Sequence, residues 1–110
     1  MGFNSGVKLG KLEVSDVAIR GLCDKWRISR LAVFGSVLRS DFGPRSDVDF
    51  LVDFARDADW SLMDLVRAEE EFAAEIGRPV QLVERAGLLL SRNHIRKQAI
   101  LESATVVHAA

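Results

Sequence analysis

Residues 35 to 49 read GSVLRSDFGPRSDVD, with a Gly-Ser pair, a ten-residue spacer, and then Asp47 and Asp49. Side chains alternate along a strand, so two carboxylates two residues apart share a face. Side by side they repel each other unless they stand in open water or share a cation. A hard divalent ion such as Mg²⁺ takes oxygen ligands and keeps some waters or phosphate oxygens in its shell. Gly35 lets the backbone come close to a ligand. A helical turn starting at Ser36 would aim N–H groups and a hydroxyl at an anion. Either feature alone is a weak signal, since many strand ends carry two acids and Gly-Ser usually marks a turn. Together, at this spacing, they describe a cation clip beside a phosphate cradle.

Such a site needs two apolar strands to hold it. RLAVFG, residues 30–35, reads as a short buried strand ending in glycine, and VDFLVDF, residues 48–54, as a second. DFGPRS between them is a loop marked by Gly43 and Pro44. Upstream, Ser15 can cap a helix reaching Trp26, with Ala18, Leu22, Cys23 and Trp26 at helical spacing. Downstream, Ser61 and Asp64 open a helix whose apolar stripe is Leu62, Leu65, Val66, Phe72 and Ile76, and Gly77 and Pro79 close it. PVQLVE is a third strand, residues 92–103 form a basic helix with Ile95, Ala99 and Ile100 inward, and TVVH adds a short last strand. Residues 1–12, rich in Gly and Lys, are expected to be loose. The order predicts one α/β (α+β) domain over residues 1–110, a small mixed sheet of roughly three to five strands flanked by helices.

The 110 residues are 48% hydrophobic and 28% charged, enough for one modest core. No run approaches the ~18 apolar residues of a membrane span, and the first residues have no apolar signal region. Cys23 is the single cysteine, which excludes an intramolecular disulfide and fits a reducing, cytoplasmic setting. His94 and His108 form no metal cluster with it and read as surface residues. Charge is uneven: residues 47–77 hold ten acids against two arginines, while residues 78–97 hold five bases against one acid. Most of these charges belong to solvated helix faces.

FGSVLRSDFGPRSDVDFLV resembles the minimal nucleotidyltransferases of the DNA polymerase β-like superfamily, in which Phe-Gly-Ser-x-x-Arg precedes Ser-Asp-x-Asp and apolar residues. WSLMDLVRAEEEFAAEIGRPVQLV is similar to that family's central helix and next strand, and NHIRKQAILESA to its closing helix, so the likeness spans about residues 15–107. The resemblance implies a nucleotidyltransferase fold. It also implies that Gly35 and Ser36 bind the terminal phosphates of a nucleoside triphosphate such as ATP, and that Asp47 and Asp49 hold Mg²⁺. Arg39 matches the motif arginine, and either contacts phosphate or pairs with Asp41. Ser46 reads as fixing the turn before Asp47. Proteins of this kind are commonly antitoxins that pass AMP to a tyrosine of a HEPN-domain toxin. That implies a protein partner, with no membrane and no direct nucleic-acid binding.

The likeness breaks at one position. Where the family places a third carboxylate on the next strand, this chain has Gln81. An amide oxygen can face a metal or a hydroxyl but cannot accept a proton as a base, and general-base help is worth ~10²–10⁴-fold. Asp53 lies too far along its strand to substitute, and Glu84 falls on the opposite face. Two functions remain open: an active transferase, or a weakened nucleotide-binding module that neutralises its partner by contact. An unrelated α/β adaptor is the third reading, and it predicts no Mg-dependent nucleotide binding.

Overall fold

A computed structural model describes residues 6–10, 12–38, 43 and 46–109. The chain opens with a hairpin of β1 (Gly6–Leu9) and β2 (Leu12–Ser15), followed by α1 (Asp16–Lys25) and β3 (Ile28–Phe34). A 3-10 turn (Gly35–Leu38) precedes β4 (Val48–Phe54), α2 (Leu62–Ile76) and β5 (Val80–Glu84). Two helices, α3 (Arg85–Leu89) and α4 (His94–Ser103), lead into β6 (Thr105–Ala109).

Local chemistry sets the helix ends. The Ser15 hydroxyl accepts from the Ala18 N–H at 3.2 Å and caps α1. Ser61 and Asp64 form a reciprocal capping box at α2, satisfying two orphan donors of the first turn. The same helix ends on Gly77 in the left-handed conformation.

The main sheet runs β5-β4-β3-β6. β3 pairs antiparallel with β4 and β6, and β4 pairs parallel with β5. This is the mixed sheet expected from the sequence, with a separate two-stranded hairpin beside it. Val48, Phe50 and Val52 join the larger core with Leu31, Val33, Ile19, Cys23, Ala68 and Phe72. The Phe50 and Phe72 rings meet at 5.6 Å. The opposite face carries a smaller cluster, Ala32, Phe34 and Leu51 under Leu88 of α3 and Ile100 of α4. Burial pushes the Cys23 thiol up to about 12, with Asp24 adding to the shift, so this cysteine is an inert core residue.

Polar contacts tie the layers. Glu71 of α2 accepts from Lys25 Nζ at 2.7 Å and from Trp26 Nε1 at 2.9 Å, joining α1 to α2. Trp60 Nε1 donates to the Trp26 carbonyl at 2.8 Å, and the two rings meet edge-on. Glu69 accepts the Leu82 N–H at 2.8 Å, so α2 supplies a partner for a backbone donor of the edge strand β5.

Three expectations change. The Gly- and Lys-rich start contains β1, and Leu9 is wholly buried. The helical stripe of α2 buries only its later part: Leu62 is 78% exposed and the buried positions are Ala68, Phe72 and Ile76. In α4, Ile100 is inward but Ile95 is 86% exposed, and Ala99 is exposed too. A ten-residue helix of mixed composition has no single stripe that periodicity can orient, and its packing against Phe34 and Leu51 decides the rotation.

Candidate active site

Three strands bring the motif residues into one row. Phe34 on β3 is paired with Asp49 on β4, and Asp49 is paired with Gln81 on β5. Paired residues in neighbouring strands share a face, so these three side chains lie side by side. Asp49 is half-buried, while Asp47, one residue before β4, is exposed, as is Gln81. Gln81 is therefore the neighbour of Asp49 on the adjacent parallel strand.

Gly35 closes the row at its end. Its φ is +80°, a left-handed conformation. A Cβ built there would stand 2.6 Å from Asp49 Oδ2. Only a residue without a side chain lets the backbone of the turn meet this carboxylate. Ser36 lies in the same 3-10 turn; its hydroxyl is outside what the structure describes, and so are Arg39 and its proposed partner Asp41. The turn is backed from the other side by the N-terminal hairpin. Gly10, also at positive φ, lies so close to the Val37 carbonyl that any Cβ would collide with it.

The approach to Asp47 is held by Arg78, from the connection between α2 and β5. Its Nη1 donates to the Gly43 carbonyl at 2.6 Å and, at 3.5 Å, to the Ser46 carbonyl. The Ser46 hydroxyl accepts from the Gly43 N–H at 3.0 Å, and the Ser46 N–H donates to the Gly43 carbonyl at 3.1 Å. Ser46 thus fixes the turn before Asp47, as its position suggested.

A cleft of about 570 Å³ opens beside Asp49. One wall is Phe34, Gly35, Leu38 and Asp49; the other is α4, through Arg96, Ala99, Ile100 and Ser103. The volume is that of a small-molecule site. A second hollow, about 280 Å³, lies at the far end of β4 against Asp53, Trp60 and Glu84. It is remote from Gly35, and its Asp53 is engaged by Arg85 at 3.2 Å, so it does not share the motif residues. Asp53 is consequently no substitute for a third acid beside Asp49. Among the described residues, no three His, Cys, Asp or Glu side chains are grouped to hold a metal ion. A cation held by Asp47 and Asp49 alone would need other oxygens to fill its shell.

The nucleotidyltransferase domain family matches residues 16–106. This chain belongs to that family. The match contains the glycine turn, both aspartates, Gln81 and α4, so the cleft lies wholly within the nucleotidyltransferase domain. Among solved structures, a minimal nucleotidyltransferase is 29% identical, with a TM-score of 0.62 over 82% of this chain and 86% of that one. A toxin–antitoxin crystal structure with AMP-PNP has a TM-score of 0.66 at 18% identity, covering 86% of this chain and 73% of that one. Another toxin–antitoxin crystal structure has a TM-score of 0.59 at 12% identity, over 88% of this chain and 75% of that one. A search of curated proteins found no match.

Two residues of this nucleotidyltransferase domain escaped the sequence reading. Arg78 follows the helix-closing Gly77, which marks a turn but not what the turn touches. Arg96 was assigned to a solvated basic helix, and only the packing of α4 brings it to the cleft.

Proposed function

We propose that this domain transfers AMP from ATP to a hydroxyl of a protein partner, a tyrosine of a HEPN-type toxin, and so acts as the antitoxin of the pair. The observation that carries the reading is the abutment of Gly35 on the Asp49 carboxylate, which joins the anion-cradling turn to the cation clip in one site. Gly35 and Ser36 would receive the terminal phosphates, with Arg39 as a further phosphate contact. Asp47 and Asp49 would hold Mg²⁺, which offsets charge on the phosphates when bound. The acceptor oxygen attacks the α-phosphorus; an O–P bond forms, the α–β bridging bond breaks, and pyrophosphate leaves with the bonding pair.

The acceptor proton is the weak point. A tyrosine hydroxyl has a reference pKa of ~10 and is protonated at neutral pH. Gln81, beside Asp49, cannot take that proton. It passes to water, and transfer is slow. The same observation favours a second reading, in which the domain binds nucleotide and neutralises its toxin by contact alone.

The test compares transfer from radiolabelled ATP to the co-expressed toxin by wild type and by Gln81→Asp, at saturating Mg·ATP. The transferase reading expects weak label with wild type and ~10²-fold or more with the substituted protein. Label absent from both, with toxin still bound and inhibited, supports neutralisation by contact. A fast wild-type rate that the substitution does not raise would show that the third carboxylate is dispensable here.

A further inference from the structure

Arg96 stands in the first turn of α4, where the Asn93 side chain caps the helix by accepting the Arg96 N–H at 3.0 Å. Its side chain lines the cleft opposite Asp49 and Gly35. Most of the wall around it is apolar: Phe34, Leu38, Ala99 and Ile100.

We propose that Arg96 is a phosphate-binding residue, gripping the phosphate chain of the nucleotide from the α4 side while Gly35 and Asp49 receive it from the sheet side. The proposal rests on the reading of this cleft as a nucleoside triphosphate site. Three observations support it. Arg20, Arg27 and Arg85 are each committed to a carboxylate, and Arg78 to backbone carbonyls. The Arg96 guanidinium makes no hydrogen bond or ion pair among the described residues. The local sequence also keeps acids away from it: between Glu84 and Glu102 there is none, and Glu102 accepts from Gln98 at 2.8 Å. Among the described residues, the cleft's other charged side chain is Asp49, on the opposite wall.

A cation on one wall and a carboxylate on the other suit a ligand that is anionic and also cation-bound. A metal-bound triphosphate has that character. Guanidinium groups favour phosphate because their planar fork donates two parallel hydrogen bonds to its oxygens. The apolar wall between Phe34 and Ala99 would cover the flat, uncharged part of the same ligand. Because Arg96 has no ion pair among the described residues, it can engage phosphate without giving up a contact with them.

Calorimetric titration tests this, with Mg·ATP and with adenosine, on wild type, Arg96→Lys and Arg96→Gln. Arg96 is exposed, so the variants should unfold at the wild-type temperature, which is checked in parallel. Loss of a charge-assisted contact should weaken Mg·ATP by about tenfold or more in Arg96→Gln, with Arg96→Lys between, while adenosine affinity stays unchanged. Equal Mg·ATP affinity in wild type and Arg96→Gln would overturn the role of Arg96 alone. Equal losses for ATP and adenosine would move its contact from phosphate to base or ribose, and would overturn the proposal as well. A wild-type protein with no affinity for Mg·ATP would instead remove the reading of the cleft itself, and this proposal with it.

Discussion

Val48, Phe50 and Val52 alternate along β4 with Asp49, Leu51 and Asp53, and the two sets meet different neighbours. The first set is closed under α1 and α2, with Phe50 fully buried against Phe72. The second is roofed only in part: Leu51 lies under α3 and α4, while Asp49 and Asp53 at either side stay half-buried. One strand thus serves two purposes through its period of two. Its core face anchors the sheet at a register, and that register aims Asp49 at Gly35. On the second face it is Leu51 that contributes a buried core contact, while Asp49 stays half-buried and open to the cleft.

The largest effect should separate the faces outright. Phe50→Ala should cost about 3–5 kcal/mol, since it empties a fully packed position. Asp47→Asn with Asp49→Asn should leave stability within about 1 kcal/mol, because exposed and half-exposed amides fit a strand start, yet abolish Mg-dependent ATP binding. Urea denaturation and ATP titration on the same samples decide it. If the double variant unfolds as readily as Phe50→Ala, or binds Mg·ATP like wild type, the division of labour is wrong.

Gly35→Ala joins the two properties at their meeting point. A side chain at positive φ costs about 1–2 kcal/mol, and the new methyl must push Asp49 aside. We expect a moderate loss of stability together with a much larger loss of Mg·ATP affinity. A variant that loses stability but keeps its affinity would show that the contact between Gly35 and Asp49 is structural only.

The smallest effect concerns the far side of the core. Lys25, then Trp26, hydrogen-bond to Glu71 and hold its carboxyl below the ordinary value of 4.5. A carboxylate with a lowered folded-state pKa adds stability that is complete above the ordinary glutamate range and is lost as pH falls through the folded value. Glu71→Gln should therefore be less stable than wild type near neutrality, and the gap should close in acid. Nucleotide binding should be unaffected at neutral pH. A gap that widens as pH falls would contradict the assigned contacts.

Much of this could be read in the residues. The alternation of β4, the capping box at Ser61, the Gly77 stop and the Gly-Ser to Asp-x-Asp spacing are local signals, set by side-chain period and by hydrogen bonds within a few residues. The family likeness pointed to Gln81 as the altered position. The tertiary structure alone decided that Gln81 lies next to Asp49, because a parallel register is fixed by the packing of both faces and not by either strand. It alone seated Gly10 against Val37, turning a Gly- and Lys-rich start into a support for the glycine turn. It also rotated α4 so that Ile95 faces solvent and Arg96 the cleft, since on a short helix of mixed polarity one residue's step of about 100° reverses in and out. Contacts between distant segments depend on which surfaces the fold brings together, and nothing in the spacing along the chain encodes that.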